Sequence, residues 1–201
     1  MIKETKIDSL TNFAGILSWI FSPLVLIPIS YAVLMLINNI EGKHFVVIFT
    51  LIIFVTVIIP LILLLFMKAR GETSSIDIPE REKRFKPFLV CSICYLFLFF
   101  ILIELKIPRQ VIILTWAYFF NIIIASIITR FWKISIHGMS AGSPLAAIAQ
   151  TISPIFNFGW VLLPILLFAR VKVKAHTPMQ VICGFGLGFI LTFIQFKIIG
   201  V

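Results

Sequence analysis

From Phe45 to Met67 the chain carries no charged side chain. An apolar run of about 20 residues or more matches the hydrocarbon thickness of a bilayer, and a core helix of a soluble domain has no need of one. Comparable runs occur at Thr11–Ile37 (interrupted by "SPLVLIP"), Pro87–Leu105, Val111–Thr129 and Gln180–Ile199. Pro60 lies inside the Phe45–Met67 run, where a kink is tolerable if neighbouring helices satisfy the freed backbone groups. With 61% hydrophobic and 12% charged residues, the class is all-α: a polytopic transmembrane helical bundle of six to seven apolar helices. One integral membrane domain spans 1–201, with N-terminal helices over about 1–67 and a core over about 68–201. The first apolar run is longer than the ~7–15 residues of a signal-peptide core, and is read as a retained span.

The segment "LAAIAQTISPIFNFGWVLLPILLFA" decides the topology. As one span, it would put the polar segments on either side of it on opposite faces of the bilayer. As two short helices joined at Ser153-Pro154 and Asn157-Phe158-Gly159, which carry turn chemistry, it would return the chain to the side it started from. Each arm would then be short for a ~30 Å core unless tilted or shielded by neighbours. The sequence leaves both open.

The net charge of +9 comes from basic residues scattered between spans, without the stripe of cations and exposed aromatics that marks a nucleic-acid surface. Topology, anionic headgroups or a phosphate-bearing substrate account for them better. Cys91 and Cys94 have the spacing of a redox or metal pair, but no second ligand pair completes a zinc site. With Cys183 they read as small apolar side chains, and neither metal nor cofactor is expected. Gly184, Gly186 and Gly188 lie within an apolar run and read as close helix packing. Asn121, Gln150, Asn157 and Gln195 read as bridges between helices at membrane depth.

Against this background "RVKVKAHTPMQ" stands out: Arg170, Lys172, Lys174 and His176 cluster between two apolar runs. A plain interfacial loop would account for the charges. Two other polar segments have matching chemistry, "REKRFKP" (Arg81, Arg84, Lys86, Pro87) and "ISIHG" (Ser135, His137, Gly138). Cations and imidazoles in three segments suit phosphoryl transfer, whose catalysis is mostly positioning and stabilisation of charge on the phosphoryl oxygens.

These three segments, in this order, resemble the motifs of the type 2 phosphatidic acid phosphatases, which share a fold with vanadium haloperoxidases. The family shows a Lys/Arg segment ending in Arg-Pro, then Pro-Ser-Gly-His, then Ser-Arg-x5-His-x3-Asp. Here the third motif reads Ala169-Arg170, five residues, His176, three residues, Gln180. The resemblance implies a phosphatase core over the last two-thirds of the chain, with no metal. It implies His176 as nucleophile forming a phosphohistidine and His137 as proton donor, with the Gln180 position orienting His176. Arg170, Arg84, Arg81, Lys86, Ser135 and Gly138 would bind phosphate. The implied substrate is a lipid phosphate: phosphatidic acid, phosphatidylglycerophosphate or a polyprenyl diphosphate.

The sequence departs from the pattern at Gln180, Ala169, Lys86 and Pro79. Gln180 matters most, because an amide accepts a hydrogen bond from His176 without supplying charge. The alternative function is therefore a phosphatase-like membrane protein that binds or moves phosphate-bearing lipids without hydrolysing them. A transporter is disfavoured by how few charges lie within the spans. If the motif segments share one face, that face also carries Lys3, Lys6, Lys68, Arg70, Arg130 and Lys133, against Lys43, Lys106, Arg109 and Lys197 opposite. The positive-inside rule then puts the site on the cytoplasmic face of the cell membrane, whereas most members of the resembled family face outward or into a lumen.

Overall fold

A computed structural model of the chain describes residues 9–200. Lys3 and Lys6, counted in the charge bias, lie outside the described residues. Those described form helices and turns, with no strand among them. Helices α1 (Ser9–Ile20) and α2 (Pro23–Ile37) meet at a 41° bend. Pro23 brings no N–H, so it starts α2 readily and cannot continue α1. Helices α3 (Gly42–Ile53) and α4 (Ile59–Ala69) are one rod joined by a π turn over Phe54–Ile58, just before Pro60. A 3-10 turn (Arg81–Arg84) leads into α5 (Phe85–Glu104), and α6 (Arg109–Thr129) follows. Then come α7 (Ile136–Thr151), a 3-10 segment (Pro154–Val161), α8 (Leu162–Lys172) and α9 (Pro178–Ile199).

Five helical stretches are long and apolar enough to cross a bilayer, and the bent α1–α2 pair makes a sixth. Large apolar side chains such as Val47, Ile62, Ile93 and Phe97 point outward on these rods, the surface that lipid requires. The protein is an integral membrane protein.

The structure resolves the open topology as a hairpin. The chain reverses after Thr151 and returns through the 3-10 segment and α8, so that Arg170 at the end of α8 comes within 3.3 Å of His137 at the start of α7. Ser153 caps the reversal, its hydroxyl oxygen accepting from Ile155 N–H. At 16 residues, α7 is too short to span unaided, and α9 shields it.

One boundary differs from the sequence reading, in which Arg130–Pro144 is a polar connection. The helix begins at Ile136 and takes in "SAGSP". Gly and Ser are poor helix formers in water, but here they let two backbones touch. A Cβ on Gly142 would run into the Phe185 carbonyl oxygen, one on Gly184 into that of Ser135, and one on Gly188 would lie 2.5 Å from that of Met139. The packing expected of the α9 glycines therefore holds for Gly184 and Gly188. At Gly186 the nearest atom to an added Cβ is 4.0 Å away, so nothing there demands glycine. Asn121 bridges α6 to α7 and α9, donating to Ser143 (3.0 Å) and Thr192 (2.9 Å), and Gln195 donates back to it at 3.3 Å. All three cysteines are free thiols.

Candidate functional site

The site is assembled where α8 ends and α7 and α9 begin. After α8 the chain turns through Lys174, whose φ of 55° puts it in the left-handed region, and Ala175 and His176 both donate their N–H to the Arg170 carbonyl, at 3.1 and 3.3 Å. That turn folds His176 back over Arg170. Lys133 holds the turn from the neighbouring segment, donating to the Ala175 carbonyl at 2.9 Å. Ser135 N–H donates to the Gln180 carbonyl at 3.2 Å, which ties the start of α7 to the first turn of α9.

His176 Nδ1 lies 2.9 Å from Gln180 Oε1. The same oxygen accepts Thr177 N–H at 3.2 Å, while Thr177 Oγ1 accepts Gln180 N–H at 3.4 Å. Thr177 and Gln180 thus form a capping box on α9. The box fixes Gln180 Oε1 as an acceptor, so Nδ1 carries the proton and Nε2 is left unprotonated. Burial pushes the His176 imidazole down to about 3, the Gln180 hydrogen bond opposes that shift, and the guanidiniums of Arg170 and Arg84 reinforce it. At neutral pH the ring is uncharged, with a lone pair on Nε2.

Arg170 is 2% exposed, among the largest side chains the fold buries. One Nη donates to Ser18 Oγ of α1 and stands 3.3 Å from His137 Nε2; the other meets Asp77 Oδ2 at 3.0 Å. An arginine has no acceptor, so His137 accepts on Nε2 in this state. Arg170 Nε is buried with no hydrogen-bond partner. Burial acts to raise the Asp77 carboxyl, but the electrostatic contributions of His137 and Arg170 beside it outweigh that and hold it below its usual value.

The remaining candidates divide. Arg84 is buried and lines the same cavity, yet three of its nitrogens donate to backbone carbonyls: Nε to Ile78 (2.8 Å), Nη1 to Ile134 (3.1 Å) and Nη2 to Asp77 (3.5 Å). It holds loop 71–80 against the segment that precedes His137. Ser135 Oγ accepts Gly138 N–H at 3.2 Å, so both serve as the α7 cap. Arg81 points elsewhere, donating to the Phe131 carbonyl (2.8 Å) and pairing with Glu82. Lys86 is exposed and pairs with Glu72 at 2.8 Å.

Asp77 and Ser18 were not singled out by the sequence reading. Asp77 has no local mark distinguishing it from Glu72, Glu80 and Glu82 in the same segment, and Ser18 sits in an apolar run. The capping box had a signal in Thr177-Pro178-x-Gln180. Among the described residues, no group of three His, Cys, Asp or Glu side chains is placed to hold a metal ion.

No family model, curated protein or solved structure matches this chain.

The polar cluster forms one end of a cavity of about 180 Å³. His137, Arg170, His176, Arg84 and Asp77 line that end; Ile27, Thr56, Pro60, Leu64, Cys91 and Ile122 line the rest. Its walls come from α2, the π turn, α4, α5 and α6. Such a site offers a cationic pocket and a neutral imidazole beside an apolar chamber.

Proposed function

We propose that the protein is a membrane-bound lipid phosphatase acting on a phosphomonoester or diphosphate of a lipid. The observation that carries this is the meeting of His137 with Arg170, 33 residues on, and with His176 beyond it, on a cavity whose other walls are mostly apolar. Arg170 takes the equatorial phosphoryl oxygens with its planar fork. Nε2 of His176 attacks phosphorus, the bond to the lipid oxygen breaks, and protonated His137 gives its proton to that oxygen. In the second step water attacks the phosphohistidine, the P–N bond breaks, and His137 takes the proton from the water. Phosphate leaves and both histidines return to their starting states. The dianionic substrate is what allows His137 to hold a proton so near Arg170.

The apolar chamber would take the part of a lipid next to its headgroup, and the charge bias favours the cytoplasmic face of the cell membrane. A second reading, binding or moving lipid phosphates without hydrolysis, is favoured by Gln180, which cannot supply the charge that stabilises an imidazolium. The deciding experiment is phosphate release from phosphatidic acid, phosphatidylglycerophosphate and polyprenyl diphosphate by the purified protein with chelator present, wild type beside His176→Ala. Release that vanishes in the variant supports the phosphatase. Lipid phosphate bound without release supports the binder.

A further inference from the structure

Ser22 stands at the N-cap position where α1 breaks into α2, yet it caps nothing. Its backbone is extended (φ −71°, ψ 151°), as an N-cap requires, but its hydroxyl makes no bond to the first turn of the helix. The residue is 7% exposed, and its Oγ is buried with no hydrogen-bond partner among the described residues. Ser22, Pro23 and Leu24 line the cavity that His137, Arg170 and His176 also line. Thr56, another hydroxyl on that cavity, bonds to the Ile52 carbonyl at 2.8 Å, as a helical threonine commonly does. A buried hydroxyl left unpaired costs stability unless a ligand satisfies it.

The helix start beside it is open as well. Val25 and Leu26 donate to the Ser22 carbonyl, at 3.0 and 2.9 Å, and Pro23 has no N–H. These bonds leave the Leu24 amide as the unspent donor of the first turn. With 15 residues, α2 is long enough for its N-terminal end to favour an anion. A group from another helix points to the same ligand: Arg170 Nε of α8, 2% exposed, is also buried without a partner on this cavity. Hydroxyl, amide and guanidinium all offer hydrogens, which calls for a ligand made of acceptors.

Ser18 relates the two donor sets in space. It accepts from an Arg170 Nη, and the chain stays helical beyond it, Phe21 N–H donating to the Leu17 carbonyl at 3.0 Å. Ser22 therefore stands about one turn, ~6 Å, farther along. From there α2 leads to Ile27, in the apolar part of the cavity. The start of α2 thus lies between the place of the reacting phosphorus and that of the lipid chain. Resting on the phosphatase reading, we infer that Ser22 Oγ and the Leu24 N–H form a second phosphate subsite, which holds the lipid-side phosphate of a lipid diphosphate while the terminal phosphate lies on Arg170 and His176. The bond that breaks joins the terminal phosphorus to the bridging oxygen. That oxygen takes the proton of His137 and departs on the lipid monophosphate, still held at α2. A phosphomonoester fills the first subsite alone.

The test is binding of farnesyl diphosphate and farnesyl phosphate, which share one chain, to the full protein in detergent. Ser22→Ala removes a donor to a charged oxygen, and is expected to weaken the diphosphate about tenfold and the monophosphate by no more than about twofold. Ser22→Thr keeps the hydroxyl and is expected to bind both within about threefold of wild type. Because the hydroxyl caps nothing, the thermal midpoint of ligand-free Ser22→Ala should not fall below that of wild type. Equal losses for the two ligands, an unchanged diphosphate affinity, or a lowered midpoint overturns the subsite. Inorganic diphosphate that displaces farnesyl diphosphate at equal concentration would assign the subsite to the free ion and overturn the lipid assignment. If the affinities behave as expected but wild type releases no phosphate, the subsite stands and the phosphatase reading falls.

Discussion

His176 Nδ1 and Gln180 Oε1 lie 2.9 Å apart, and the capping box of α9 leaves that oxygen no role except acceptor. One glutamine thus starts a helix and sets the tautomer of an imidazole. In the proposed mechanism this arrangement keeps Nε2 available for attack, but it would leave the imidazolium of a phosphohistidine without a counter-charge. In a serine-protease triad the same exchange of carboxylate for amide costs on the order of 10⁴ in kcat.

Gln180→Asp is accordingly expected to raise phosphate release by about tenfold or more, since it restores the charge and keeps an acceptor at the third helical position. Steady-state kcat of wild type and variant, measured on whichever lipid phosphate turns over, checks this. An equal or lower kcat in a well-folded variant would remove Gln180 from any part in the chemistry.

A pH prediction follows from the burial of His176. Its folded value is about 3, against about 6.5 in an unfolded chain. Between those values the unfolded chain binds a proton that the folded one refuses, so stability is full above 6.5 and falls as the pH is lowered toward 3. The loss amounts to roughly 2 kcal/mol by pH 5. Thermal midpoints in detergent at pH 7.5 and 5 should show it in wild type and show less in His176→Asn. Equal slopes in the two proteins would mean that His176 is not buried as a neutral ring.

The contact between α7 and α9 makes a contrast among its glycines. Gly188→Ala puts a methyl against the Met139 backbone, and Gly142→Ala puts one against that of Phe185; each should cost about 1–3 kcal/mol. Gly186→Ala, with open space before it, should be neutral or slightly stabilising. Thermal unfolding of the three variants in the same detergent tests the order, and a loss at Gly186 equal to that at Gly142 would refute it.

Three basic residues of "REKRFKP", Arg81, Arg84 and Lys86, should separate. Arg84→Ala leaves three backbone carbonyls without their donor and frees loop 71–80, and should lower both lipid binding and turnover severalfold or more. Arg81→Ala and Lys86→Ala remove exposed ion pairs and, at Arg81, an exposed hydrogen bond to the Phe131 carbonyl, and should change either quantity by no more than about twofold. The check is binding of phosphatidic acid to all three variants. A large loss at Lys86 alone would move the phosphate site toward the exposed surface.

Much of this was legible in the sequence, because hydropathy and motif spacing are local. The apolar runs gave the membrane class and span positions to within a few residues, and the spacing of Arg170, His176 and Gln180 singled out residues that the fold gathers. Local patterning could not settle matters that depend on contacts between distant segments. The hairpin through Ser153 and Pro154 was one of two allowed paths, decided by packing of α7 on α9. "SAGSP" reads as a loop by propensity and is helix because Gly142 packs on the Phe185 backbone and Ser143 donates to the Gly188 carbonyl. Three basic residues within "REKRFKP" are equivalent on paper, and only tertiary structure turns Arg84 inward and leaves Arg81 and Lys86 outside. Asp77 was hidden for the same reason: the cation that gives it meaning lies 93 residues away. Composition and spacing determined what kind of protein this is and which groups it carries, whereas long-range packing decided which of those groups meet.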